Sequence, residues 1–496
     1  MLLPQSGTAQ QDESKKIHIT ADSLINANKG GEAITKLVGN FSFYQGSLTG
    51  TAKRAEQHPN KNYVDLFDDV VIRQDTLALY APHVKYEGNT RTATADGYIQ
   101  FSDRDDHITS VWGAYDLDQG IAQFHDGVRA VQGNSTLSCD HLTYIRSTQT
   151  MIAHGNVVVY SDSGMLHCDS LIDARSIGER TAFGDVQIKN DSLIVFCQYL
   201  YDSKPQNTLL TSGEVQAYSI ANRTMQFGDT IIRDTKTGRS FVPSRPLLEI
   251  IDTSQRFDSV SASMTTVFDT LFVRSKTMEA VSGDSGRFVA TDSVLLMRNN
   301  FSGKCGKMVY YREQGILTLF GNKRQYVWYD STEINGDSIV MYEHNNKPER
   351  IVAYGHAFAT TPYSDSVGTK DRTSQLSAQS MVLTIVRDTV RSLLAVDNAL
   401  SIYFMSSEGK PNGLNRASGD SIRIDFEHNS PERIVVLSHT EQEFWPERYV
   451  GYRGAAFRLG NFERQYDLLH PRRAIFAPDW EPHLVELSEH MQQTEH

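Results

Sequence analysis

Apolar positions along this chain recur at a fixed interval of 29 residues. Phe41, Val70, Ile99, Val128, Val157, Val186 and Val215 form one such column. Two residues later stand Phe43, Ile72, Phe101, Ala130, Val159, Ile188 and Ala217; two residues earlier stand Gly39, Asp68, Gly97, Asp126, Gly155, Gly184 and Gly213. Apolar residues at i and i+2 behind a Gly or Asp predict a strand entered from a turn. A second strand follows in each unit. Its marker position is always small: Ala21, Gly50, Ala81, Ser110, Cys139, Cys168 and Cys197. An apolar residue stands two positions before the last six markers, at Leu48, Leu79, Ile108, Leu137, Leu166 and Val195. The pattern predicts two strands per unit over residues 17–220, and no useful amphipathic helix before residue 440.

Past residue 220 the pattern loosens but persists. "GDTI" (228–231) and "GDSI" (336–339 and 419–422) repeat one signature, and residues 336–357 and 419–440 are near copies offset by 83 residues. "NKPER" and "NSPER" predict hairpin turns, and residues 361–375 and 406–418 predict longer inserted loops. Residues 441–496 are rich in aromatics and Arg and lack the repeat, which predicts a cap on the array or a docking tail. At the other end, "LLP" followed by small residues up to Ala9 reads as the tail of a signal peptide whose upstream part is missing, or else as a disordered leader over residues 1–16.

Two architectures fit a two-strand unit of this length. In one, antiparallel strands run up and down and bend over into a two-walled trough. In the other, the chain coils as a parallel β-helix, one turn per repeat. Both bury the alternating apolar set and need several units for stability. In either, Val157, Val159, Leu166 and Cys168 point inward, while Tyr160, His167 and Asp169 fall on the other face.

Composition narrows the function classes. A net charge of −12 argues against a general nucleic-acid binder. No stretch approaches the run of about 20 apolar residues that a membrane helix needs. There is no Gly-rich phosphate loop, no HExxH and no GxSxG. Asp22, Asp140, Asp169, Asp229, Asp337 and Asp420 recur beside small residues, as a cation ladder, a glycosidase pair or, preferred here, outward corner residues that cap turn amides. His141, His154 and His167 are spaced by 13, unlike zinc ligands. Cys139, Cys168 and Cys197 occupy the small-residue slot, and Cys305 resembles them, so they are expected to be buried free thiols. In the antiparallel trough Cys139 and Cys168 stand two strands apart, roughly 9.6 Å, beyond the ~7 Å reach of a disulfide. In a β-helix they would stack one strand apart and could bridge.

The units "AHGNVVVYSDSGMLHCDSLIDA" (153–174), "AFGDVQIKNDSLIVFCQYLYD" (182–202) and "ITADSLINA" (19–27) resemble the OstA/LptA family of periplasmic lipopolysaccharide-transport proteins. The likeness is good over residues 17–220, continues with insertions over 221–440, and does not reach the tail; the chain looks like an extended member. The resemblance implies an all-β, elongated antiparallel β-jellyroll trough and favours it over the parallel β-helix. It implies a non-enzymatic periplasmic carrier without cofactor, metal or catalytic residues, with outer-membrane association a further expectation. Acyl chains of lipopolysaccharide would lie against Phe41, Phe43, Val70, Ile72, Leu79, Ile99, Phe101, Ile108, Val128, Leu137, Val157, Val159, Leu166, Val186, Ile188, Val195 and Val215. Its expected partners are lipopolysaccharide and the transport proteins of both membranes, reached through exposed sheet edges, with end-to-end self-association and no nucleic acid. The competing readings are a structural β-solenoid (adhesin or scaffold) with a dry core, and a β-helix enzyme acting on polysaccharide.

Overall fold

The computed structural model describes residues 17–29, 32–258, 263–281, 286–362, 372–407, 410–427, 430–460 and 476. The expected leader, residues 1–16, lies outside them, as do residues 363–371 of one expected loop and most of the tail. The chain divides into two compact units, Met1–Leu209 and Leu210–His496.

The first unit contains β1 (His18–Thr20), β2 (Ser23–Lys29), β3 (Glu32–Gln45), β4 (Leu48–His58), β5 (Tyr63–Gln74), β6 (Leu77–Glu87) and β7 (Thr92–Asp103). It continues with β8 (Asp106–Asp116), β9 (Ile121–Gln132), β10 (Ser135–Ile145), β11 (Thr150–Ser161), β12 (Gly164–Ala174), β13 (Glu179–Lys189) and β14 (Leu193–Ser203). From β3 to β14 each strand pairs antiparallel with the next. β1 and β2 both pair with β3, one along each half of it. Every described pairing is antiparallel, so the trough stands and the parallel β-helix falls away.

The Gly/Asp column is not where the sequence pattern puts it. Those residues do not begin strands; they sit in the middle of them. Gly155 and Asn156 interrupt β11, with φ of 76° and 48°, and the register with β12 shifts between His154 and Val157. Gly39–Asn40, Asp68–Asp69, Asp126–Gly127, Gly184–Asp185 and Gly213–Glu214 repeat the same left-handed pair. A two-residue bulge needs backbone that Gly, Asn and Asp tolerate best, and it bends the strand that carries it. The period of 29 spans two strands, so it lines these bulges up at one level in every second strand, and the strands paired beside them shift register there. The halves carrying Phe41, Val70 and Ile99 form a first wall. The halves carrying Leu37, Leu66 and Ala95 form a second, and the two sets pack into one core cluster.

The recurrent Asp residues brace these bends. Asp140 Oδ2 accepts from Asn156 Nδ2 at 2.8 Å, and Asp22 Oδ2 from Asn40 Nδ2 at 2.9 Å. A Cβ on Gly155 or Gly184 would overlap the carboxylate of Asp140 or Asp169, so a side chain there would have to displace that bracing Asp.

The second unit uses the same device. Left-handed pairs stand at Asp292–Ser293, Gly355–His356 and Asp397–Asn398, and Asp337 accepts from His356 Nδ1 at 3.0 Å. Two departures from the sequence pattern appear here. The described part of residues 406–418 is strand and not inserted loop: Ser406 and Ser407 end the strand Thr389–Ser407, and Lys410–Ser418 begin the strand Lys410–Glu427 that pairs with it. In "NKPER" the turn is made upstream by Asn345 and Asn346, both left-handed, and Pro348 is already in a strand. Glu441–Pro446 adds a strand beside Gly413–Ser418. The chain then folds back over the outer sheet face, where Val450 and Leu459 cover Phe358, Ile402, Phe404 and Leu414. Gln375 holds this segment by its side-chain amide, donating to Phe457 O at 3.0 Å and accepting from Leu459 N at 2.9 Å. Arg372 donates to Glu447 Oε2 and to Gly451 O, both at 3.0 Å.

Gly184→Ala is expected to destabilise the protein by about 1–3 kcal/mol through its positive φ and the overlap with Asp169. Asp185→Gly, one residue on, should be close to neutral. Urea denaturation of the two variants checks this.

Candidate functional site

The first unit encloses an apolar cavity between its walls, with an empty volume of about 1200 Å³ that includes space open to solvent. Phe41, Phe43, Ile72, Leu79, Ile99 and Phe101 line it from the first wall. Leu37, Val64, Leu66, Ala93, Ala95, Ala122 and Phe124 face them from the second. Ile17 and Ile19 lie at the near end, and both remain exposed, at 54% and 42%. No lining residue is charged; the polar groups are Gln45, Gln57, Gln74, Tyr86 and Tyr115. Gly113 helps leave this room, since a Cβ there would press on Phe124 Cδ1 at 3.2 Å and Ile99 Cδ1 at 3.4 Å.

Of the seventeen residues named from the sequence, the six first-wall residues above border the cavity. Val70, Ile108, Val128, Leu137, Val157, Val159, Leu166, Val186, Val195 and Val215 are buried, and Ile188 is partly buried, without bordering it. All seventeen belong to the first-wall register. The second wall was missed, although its signal has the same period: Leu37, Leu66, Ala95, Phe124, Ala153 and Ala182 are 29 apart, as are Ala55, Val84, Gly113, Leu142, Leu171 and Leu200. The columns mix Ala, Gly and large residues, which hides them from a search for uniformly apolar positions.

The cavity ends where two rings from opposite walls meet. Phe101 and Phe124 lie edge to face with centroids 5.2 Å apart, and the fully buried Tyr144 packs against Phe101 at 5.9 Å. Tyr144 then crosses the trough by donating its hydroxyl to Asp103 Oδ2 at 3.0 Å. Asp103 also accepts from Thr76 Oγ1 and stands 3.4 Å from Arg146 Nε. One step further on, Arg175 pairs with Asp106, and its Nε donates to Asp173 Oδ2 at 3.1 Å. Asp103 and Asp106 flank a turn of the first wall, whereas Arg146 and Arg175 follow strands of the second. The free margins of the two walls are thus clasped by charge. Burial pushes the Asp106 carboxyl up from its ordinary range, and Arg175 opposes that rise. The second unit has its own clasp with the signs exchanged. Its Arg298, 2% exposed, pairs with Asp252 and with Glu343 at 3.0 Å, and Tyr310 donates to Glu343 at 2.8 Å.

Cys139, Cys168, Cys197 and Cys305 are buried and free, and burial pushes their thiols up to about 12, 11, 12 and 12. His141 faces His125 and His154 on neighbouring strands. Among the described residues no group of three or more His, Cys, Asp or Glu is arranged to hold a metal ion.

Residues 14–169, which contain the whole cavity, match the model of a family described as OstA-like protein. Among solved structures the chain is similar to LptH of Pseudomonas aeruginosa, the LptA-homologous periplasmic component of its lipopolysaccharide transport device. The identity is 14% and the TM-score 0.23, over 29% of this chain and 95% of that one. No curated protein matches.

Arg175→Ala strands a buried carboxylate and should cost about 3 kcal/mol at neutral pH. Asp106→Asn in the same chain should return most of that loss. Without Arg175 the Asp106 pKa rises further above its unfolded value, so folding favours the protonated form. The penalty is therefore smallest near about pH 4 and grows as pH rises through the raised pKa. Denaturant titrations across pH check the sign. The four thiols should resist alkylation in the folded protein and react on unfolding, as mass mapping would show.

Proposed function

We propose that this chain is a non-enzymatic periplasmic carrier that holds the acyl chains of lipopolysaccharide in its trough and helps move it toward the outer membrane. The observation that carries this reading is an uncharged apolar cavity lying wholly within the segment that matches the OstA-like model. Acyl chains make no hydrogen-bond demands, so a lining without charge suffices. Each buried CH₂ contributes roughly 0.8 kcal/mol. The head-group sugars stay in water. Within this reading, acyl contact falls to Phe41, Phe43, Ile72, Leu79, Ile99 and Phe101, and the other named first-wall residues build the core that supports them.

The same reading gives the sheet edge a role. Among the described residues β1 and β2 pair only with β3, and Leu24 and Ile25 are 62% and 53% exposed. An unpaired edge with apolar side chains is a template for strand addition. Partner transport proteins, or a second copy of this chain, are proposed to dock there.

Photo-crosslinking in cells tests the carrier function. A photoreactive residue at Phe43 or Ile72 should capture lipopolysaccharide, and one at the outward Tyr160, 57% exposed, should not. Absence of adducts at Phe43 and Ile72, together with no lipid retained by the purified protein, would favour the dry scaffold instead.

A further inference from the structure

The cavity has a built end, and that end bears on which ligands fit. On the first wall its lining runs from Ile19 on β1 through Phe43, Leu48, Ile72 and Leu79 to Phe101 on β7. At the usual strand spacing of about 4.8 Å, those six strands span about 24 Å. At the far end Phe101 and Phe124 touch edge to face across the interior. Phe101 is backed on its far side. Both rings are buried, at 3% and 2% exposure, and Tyr144 packs behind Phe101 with its hydroxyl fixed to Asp103. Beyond them Ile108, Val128 and Leu142 are buried and do not border the cavity.

We propose that Phe101 and Phe124, braced by Tyr144, form a stop that sets the length of alkyl chain the cavity accepts. The inference rests on the carrier reading above and adds specificity to it. An unbranched chain enters past Ile17 and Ile19, lies along the lining, and gains contact with each methylene until its end meets the two rings. A longer chain must leave its surplus in water or bend back, and gains nothing further. The stop also implies that a bound chain does not slide onward into the packed core while the rings stay in place.

The full chain is titrated with a homologous series of saturated lysophosphatidylcholines by isothermal calorimetry. Affinity should rise about fourfold per added methylene and then break to a plateau. Phe124→Ala should move the break to longer tails. Ala122→Leu, which fills the lining beside the stop and removes no core ring, should move it to shorter ones. Tyr144→Phe keeps the ring and should leave the break in place. Should Phe124→Ala fail to fold by circular dichroism, Ala122→Leu decides alone. A break that stays at the wild-type length in folded Phe124→Ala or Ala122→Leu overturns the stop while leaving the carrier reading intact. No binding by any member of the series overturns both.

Discussion

Everything in this fold hangs on a left-handed bulge placed once in each 29-residue repeat, in every second long strand of the first unit. A flat antiparallel sheet of this length would expose one apolar face to water. The bulge bends the strand that carries it, the strands paired on either side shift register around it, and the period of 29 puts every bulge at the same level, so one sheet becomes two facing walls. The backbone conformation is costly for most residues, which is why Gly, Asn and Asp hold the position. The Asp on the adjacent strand accepts hydrogen bonds there and leaves no space for a Cβ, as between Asp140 and Gly155. Local backbone chemistry thus fixes the global architecture.

Bending creates an interior, and what fills it differs along the first unit. Around β10–β14 the interior is packed, and Val157, Cys168, Leu171 and Val186 are buried without bordering the cavity. Around β3–β9 the second wall offers Ala93, Ala95, Gly113 and Ala122, and the walls stand apart over a cavity. The transition falls where Phe101 and Phe124 meet, and the Arg–Asp clasps that hold the margins together begin at the same place. Closure by buried charge makes the margin specific and polar, in contrast to the uncharged lining beside it. The same division of labour, with acid and base exchanged between walls, holds the second unit at Arg298 and Glu343.

The sequence alone determined the class, the period and the face of most apolar positions, because a strand's period of two is local and a repeat multiplies a weak signal into a strong one. It also assigned the cysteines correctly to a slot that needs small size. It misread the Gly/Asp column as turns, since turns and left-handed bulges select the same residues, and only strand pairing tells them apart. It could not separate a lining residue from a core residue: Phe43 and Val159 occupy equivalent repeat positions, yet only Phe43 borders the cavity, and what differs is the side chain facing them from the other wall. That facing residue lies tens of positions away in the chain, so the cavity, its two-ring end and the clasp between Asp103 and Arg146 were decided only when the walls came together.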